Sequence, residues 1–182
     1  MPHDLAGLID LLGEAEFNDR LQYGFEHSGP LLVSEYVNQA NQPNMQASWL
    51  FNYSGKPWLT QYWTREILDR YYGLEPVGGC PGDEDEGQMG AWYVMAGIGL
   101  FEMDGGASQN PIYEIASPLF DRITIQLDQR YYSGKSFCIE TRNNSSRNRY
   151  IQSATLDGKP LTRPWFYRSE EHTSELQSPN TI

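Results

Sequence analysis

Pro81-Gly82-Asp83-Glu84-Asp85-Glu86-Gly87-Gln88-Met89-Gly90-Ala91-Trp92-Tyr93-Val94 sets four consecutive acids between glycine turns and runs straight into an apolar, aromatic helical pattern. Packing alone gives no reason to crowd like charges where a helix enters a core. Repulsion between neighbouring carboxylates raises a carboxyl pKa, which is how a general acid or base is made. The plainer reading is an acidic N-cap, because carboxylates stabilise the positive end of a helix. On the residues themselves both readings stand.

Upstream of this turn the spacing is helical. Leu5, Leu8, Ile9 and Leu12 recur at helical intervals over residues 2–13, with Gly13 as the terminator. Glu14 to Phe25 place Phe17, Leu21 and Phe25 on one face. A turn at Ser28-Gly29-Pro30 leads into a polar, irregular stretch over Asn38–Gln46. Ala47–Tyr53 reads as a short helix. Trp58–Tyr72 reads as a longer one that starts after Pro57 and buries Leu59, Trp63, Ile67 and Tyr71. Glu86 to Phe101 form the next helix, with Gly90, Gly97 and Gly99 permitting close helix contact. Helices in pairs of unequal length suit a helical barrel better than a simple bundle.

Downstream, Asp104-Gly105-Gly106 breaks the pattern and the periodicity becomes strand-like. Ile112–Ile115, Arg122–Leu127, Ser136–Thr141 and Tyr150–Leu156 alternate or carry β-branched runs bounded by turn residues. Asp157-Gly158 is a type I′ hairpin signal. The fold class expected is mainly α followed by β. The α part spans residues 1–104 and an antiparallel β subdomain spans 105–167.

A formal net charge of −11 with no basic stripe argues against nucleic acid or an anionic membrane surface as partner. The longest apolar runs are too short to span a bilayer. Cys80 and Cys138 allow one disulfide at most and leave the compartment open. Five Trp and twelve Tyr are enough to line a sugar cleft, although such rings also fill ordinary cores.

Several chemistries fail on spacing. A calcium loop of the EF-hand type beginning at Asp83 needs glycine where Gln88 stands and an acid where Val94 stands. His3 and His27 are the only histidines before residue 168, and no G-x-S-x-G elbow accompanies them. Neither a phosphate-binding P-loop nor a dinucleotide glycine pattern is present. A glycosidase needs only carboxylates placed across a sugar, and Asp83 with Asp85 in an aromatic-rich helical frame fits that requirement.

At these residues a family comes into view. Pro81–Val94 resembles the P-G-[ND]-x-D-x-G-Q-M-[SG]-A-W-Y-V signature of glycoside hydrolase family 92, the calcium-dependent exo-α-mannosidases. Pro2-His3-Asp4 with Gly7-Leu8-Ile9 resembles P-H-D-x-x-G-L-I. Asn52-Tyr53-Ser54-Gly55-Lys56-Pro57 with Thr60-Gln61 resembles N-Y-x-G-x-P-x-x-T-Q, and Arg65-Glu66-Ile67-Leu68 follows in place. Ser117–Asp121 and Tyr150–Leu156 with Gly158-Lys159-Pro160 resemble the family's later β segment. The match covers nearly all of residues 2–167 in order.

The resemblance implies the C-terminal part of an (α/α)6 barrel with a small antiparallel β appendage. It also implies an N-terminal β-sandwich elsewhere in the same polypeptide as the barrel's partner. The implied activity is inverting hydrolysis of terminal α-mannosyl residues of glycans, as in N-glycan degradation, with Ca2+ as cofactor. Asp85 matches the signature's less variable aspartate and is the implied general base, with Asp83 in support. Glu84 and Glu86 are expected to face solvent. The general acid is a glutamate in a segment that would precede Met1, so the chain alone is expected to be inactive. Asn41-Gln42-Pro43-Asn44 stands where the family has N-E-P or H-E-P, which makes Asn41 and Gln42 substrate-binding candidates. The amide of Gln42 puts α-1,2 preference in doubt. Gln88, Gln46 and Trp49 are further candidates near the sugar, and the metal ligands are unassigned. The implied location is periplasmic or extracellular. The alternatives are a non-catalytic carbohydrate-binding or interaction module, or another (α/α)6 hydrolase or phosphorylase.

The segment Arg168-Ser169-Glu170-Glu171-His172-Thr173-Ser174-Glu175-Leu176-Gln177-Ser178 is of a different kind. Residue for residue it resembles the in-frame translation of a common sequencing-library adapter. Residues 168–182 are therefore expected to be a non-native, disordered tail, and His172 is not a catalytic candidate.

Overall fold

The computed structural model describes residues 3–29, 36–84, 86–173 and 175–179. The chain divides into two compact units, Met1–Ala96 and Gly97–Ile182.

The first unit is helical. α1 (Leu5–Leu12) starts because the Asp4 carboxylate accepts the Gly7 amide hydrogen at 2.8 Å, and it stops at Gly13, whose φ is 82°. A Cβ at Gly7 would collide with that carboxylate, which accounts for the H-D-x-x-G spacing. α2 (Glu14–His27) buries Phe17 and Phe25, and Phe25 stacks on Trp63 with centroids 4.6 Å apart. Asn18, buried in α2, donates to the Ser54 carbonyl at 3.0 Å and accepts the Ser54 hydroxyl at 2.6 Å. That pair ties α2 to the Asn52–Gly55 turn.

Ala47–Asn52, expected as an α-helix, is a 3₁₀-helix. Its six residues pack Trp49 and Phe51 into the core with no exposure, and the tighter winding brings Ser48 inward as well. α3 (Pro57–Tyr71) begins on Pro57 as expected. Its buried face differs from the expected one. Thr60, Gln61, Thr64, Arg65, Glu66, Ile67 and Leu68 are buried, whereas Leu59, Trp63 and Tyr71 are half-buried. Two of these polar side chains have partners: the Thr64 hydroxyl donates to the Thr60 carbonyl at 2.7 Å and Glu66 pairs with Arg70 at 2.8 Å. α4 (Gln88–Ile98) is shorter than the expected 86–101 and ends at Gly99, whose φ is 85°.

The second unit is mostly antiparallel β. β1 (Leu100–Phe101), β2 (Ile112–Ile115) and β7 (Trp165–Tyr167) form one sheet in the order β1-β2-β7. β3 (Arg122–Gln126), β4 (Ser136–Arg142), β5 (Ala154–Leu156), β6 (Lys159–Leu161) and β8 (Glu175–Pro179) form the other in the order β3-β4-β8-β5-β6. Phe137 of β4 meets Phe166 of β7 at 5.8 Å between centroids, which seats one sheet on the other. Asp157 and Gly158 carry positive φ of 52° and 72° between Leu156 and Lys159, the two-residue hairpin expected from the sequence.

Two expectations are corrected here. Gly97 and Gly99 do not serve helix contact, since Cβ atoms there would meet Leu119 and Pro118 instead. Within residues 168–182, Arg168–Thr173 forms a 3₁₀-turn and Glu175–Pro179 a strand that pairs with β4 and β5. The β4–β8 pairing is parallel, so the second sheet is not wholly antiparallel.

Candidate active site

The acidic turn is held from within. Glu84 takes a positive φ of 68°, and its carboxylate accepts the amide hydrogens of Gly87 and Gly90, the latter at 3.0 Å. Its backbone carbonyl accepts the Met89 amide hydrogen at 3.2 Å. Glu84 is therefore the cap of α4 and is half-buried, not the solvent-facing side chain expected. A Cβ at Gly90 would stand 3.0 Å from the Glu84 Oε1 and would crowd the cap. Glu86 is exposed with φ 61°, and Gly87 follows at 94°. Asp83 is exposed, which leaves its carboxylate open to a ligand. Asp85 lies outside the described residues.

A second segment is drawn against this turn. Gly82, at φ 73°, approaches so near that a Cβ would stand 2.7 Å from the Ala40 carbonyl oxygen and 2.9 Å from the Ala40 Cβ. Ala40 precedes Asn41 and Gln42, so the contact puts the start of that candidate segment beside the residue that leads into Asp83. The segment is itself ordered: the Ala40 amide donates to the Asn38 Oδ1 at 3.0 Å, and the Asn44 amide donates to the Asn41 carbonyl at 2.9 Å, within a 3₁₀-turn over Gln42–Asn44. Asn41 is exposed and Gln42 half-buried.

α4 locks the arrangement from beneath. Met89, Trp92 and Ala96 are buried along one face, and the Trp92 indole N–H donates to the Met45 carbonyl at 2.8 Å. Tyr72, stacked on Trp92 with centroids 5.7 Å apart and planes within 8°, donates its hydroxyl hydrogen to the Met89 carbonyl at 3.2 Å. Burial pushes the Tyr72 phenol well above its ordinary pKa, against a smaller opposing contribution from Gln39.

The remaining candidates divide. Gln88 is exposed as the first residue of α4, beside the turn. Gln46 lines a cavity of about 240 Å3 with Leu5, Leu21, Tyr36, Pro43 and Asn44, immediately after the Gln42 segment. Trp49 has no exposed surface and belongs to the core, so it offers no face to a sugar. A larger cavity of about 350 Å3 lies in the β unit around Asp157–Arg163 and contains none of the candidates. Glu84, Gly82 and Tyr72 are the site-building residues the sequence reading missed. The spacing from Glu84 to Gly87 and Gly90 was the available signal for the first of them.

Among the described residues no three His, Cys, Asp or Glu side chains converge as a metal needs. Calcium takes roughly six to eight oxygen ligands. The described carboxylates therefore do not by themselves make up a calcium site.

The helical frame with its acid-bearing turn at the head of α4, followed in the chain by a β unit, coincides with a described family. The match to the glycosyl hydrolase family 92 catalytic domain spans residues 1–178, and the chain belongs to that family. It is 30% identical, with a TM-score of 0.85, to the family GH92 α-mannosidase of Bacteroides thetaiotaomicron, covering 98% of this chain and 23% of that one. It is 31% identical, with a TM-score of 0.82, to the family GH92 inverting mannosidase of Bacteroides thetaiotaomicron VPI-5482, covering 98% of this chain and 26% of that one. A relative in Arthroderma benhamiae, described as an uncharacterized secreted glycosidase, is 35% identical over 91% of this chain and 20% of its own length. The chain thus spans about a fifth to a quarter of the proteins it matches. No helix among the described residues is long and apolar enough to cross a membrane.

Proposed function

We propose that this chain is the C-terminal part of the (α/α)6 catalytic barrel of an inverting exo-α-mannosidase and supplies the base half of its acid–base pair. The observation that supports the reading is the approach of Gly82 to Ala40, the residues that immediately precede Asp83 and Asn41. Inversion needs one carboxylic acid to protonate the leaving oxygen and a carboxylate on the opposite face to activate water, with roughly 6.5–9.5 Å between them for that water. Asp85 is the general base, and Asp83 helps orient the water. Asn41 and Gln42 contact the sugar beyond the scissile bond, and Gln88 hydrogen-bonds the mannosyl residue. The proton donor comes from another part of the whole enzyme, as does the β-sandwich that closes the cleft. The calcium that the resemblance implies is proposed for the whole enzyme, with ligands drawn from outside the described residues.

The substrate is a mannose-terminated glycan met outside the cytoplasm, a reading supported by the relative described as secreted. The experiment is proton NMR of the first sugar released from an α-mannoside by the whole enzyme. Inversion gives β-mannose before mutarotation, whereas α-mannose as first product overturns the proposal. The 182-residue chain assayed alone releases no mannose. Release by the chain alone would show that the acid lies within it.

A further inference from the structure

Tyr36 is an aromatic ring held at the surface rather than in the core: it is 47% exposed. It meets the Tyr23 ring edge-on with centroids 5.7 Å apart, and Tyr23 lies flat on His27 at 3.7 Å. The backbone beside it is anchored as well. Val37 is buried, and its amide donates to the Ser28 hydroxyl at 2.8 Å, which in turn donates to the Gly24 carbonyl. A ring fixed from the side, with half its area open, loses little freedom when a ligand lands on it.

Tyr36 also lines the cavity of about 240 Å3 that holds Gln46. Leu5, Leu21 and Leu50 give that cavity apolar walls, and the half-buried amides of Asn44 and Gln46 give it polar ones. Its volume is below the roughly 300–1,000 Å3 of pockets for drug-sized ligands and suits a single ring. A pyranose has a face of C–H groups and a rim of hydroxyls. Aromatic and aliphatic side chains take the face, and amides, which both donate and accept, take the rim. Among the described residues no charged side chain lines the cavity, so nothing there favours a phosphate or an acidic sugar. Pro43 and Asn44, on its wall, sit in the same 3₁₀-turn as Gln42.

We infer that this cavity is a sugar-binding site separate from the residues assigned to bond cleavage, and that it takes one uncharged pyranose ring against Tyr36. The ring chemistry rests on the cavity. The choice of mannose as that ring rests on the proposed mannosidase activity.

The test is an amide NMR titration of the 182-residue chain with methyl α-mannopyranoside. Shifts are expected at Leu21, Tyr36, Asn44 and Leu50, with weak, millimolar affinity. Tyr36→Ala weakens binding by about tenfold or more, whereas Tyr36→Phe, which keeps the ring, stays within about twofold. Asn44→Ala weakens it by about threefold or more. Tyr131→Ala, at a ring 76% exposed in the β unit, leaves it unchanged. The Trp92 indole resonance, set by its bond to the Met45 carbonyl, reports whether a variant keeps the helical unit intact. If Tyr36→Ala disturbs that resonance, Tyr36→Leu reads the same difference.

Shifts confined to residues 82–88, equal affinity for cyclohexanol, or full affinity in the Tyr36 variants without a ring would overturn the inference. Asp83→Asn combined with Asp85→Asn leaves the affinity unchanged. A loss there as large as in Tyr36→Ala would put the sugar at the acidic turn instead. The two proposals fail separately: α-mannose as first product removes the inverting mechanism and leaves this site, whereas a failed titration removes the site and leaves the mechanism.

Discussion

The Glu84 carboxylate accepts the Gly90 amide hydrogen at 3.0 Å and that of Gly87 beside it, closing the acidic turn onto the first turn of α4. One acid of the four is thereby spent on structure, and the turn's backbone is fixed by a side chain of its own. Glu84→Ala removes both bonds and a cap. The expected cost is about 0.5–2 kcal/mol, read as a lower midpoint in urea denaturation with an unchanged slope. Glu84→Gln keeps one acceptor oxygen and costs less. An unchanged midpoint in Glu84→Ala would remove Glu84 from this role.

Gly82→Ala places a methyl against Ala40 and forces an L side chain into a φ of 73°. Strain of this kind costs about 1–3 kcal/mol. The approach of the two segments should also loosen, so chemical shifts of Asn41 and Gln42 amides move in Gly82→Ala but not in Gly78→Ala. Gly78 shares the positive φ with open space around it, which makes it the control.

Trp92→Phe keeps most of the ring volume but leaves the buried Met45 carbonyl without its donor. An orphaned buried polar group costs about 1–3 kcal/mol. Thermal unfolding should show the loss, whereas a conservative change at exposed Tyr93, such as Tyr93→Phe, should not.

Tyr72 makes stability depend on alkaline pH. Burial holds its phenol neutral in the folded chain and raises its pKa, while in the unfolded chain it ionises near its ordinary value of about 10. Its contribution is fully present below pH ~10, and it is lost as pH rises from there toward the folded-state value. The midpoint of urea denaturation should fall between pH 9 and 11, roughly one ordinary titration span around that value, and Tyr72→Phe should fall less steeply. Equal slopes in both proteins would contradict this origin.

Much of the helical frame could be read from local chemistry. Asp4 with Gly7, Pro57 and the Asp157-Gly158 pair each act within a few residues, so their elements appear where the sequence places them. What escaped depends on distant partners. Thr64 and Glu66 on the buried face of α3 have partners, which periodicity read by hydrophobicity alone cannot show. Trp49 looked available for a sugar until the 3₁₀ winding of Ala47–Asn52 put it in the core. The motif identified the acidic turn, yet it did not separate the capping acid from its neighbours. That division follows from the positive φ of Glu84, which turns its carboxylate back toward Gly87 and Gly90. β8 escaped because its partners, β4 and β5, lie well before it in the chain.

The central claim is that the turn beside Ala40 carries the base that activates water, and Asp85→Ala in the whole enzyme tests it most directly. The account predicts that kcat falls by about a hundredfold to ten-thousandfold, while affinity for a mannose-like inhibitor measured by calorimetry stays within a few-fold. Turnover that survives in Asp85→Ala with binding intact would contradict it and leave the acidic turn as a helix cap.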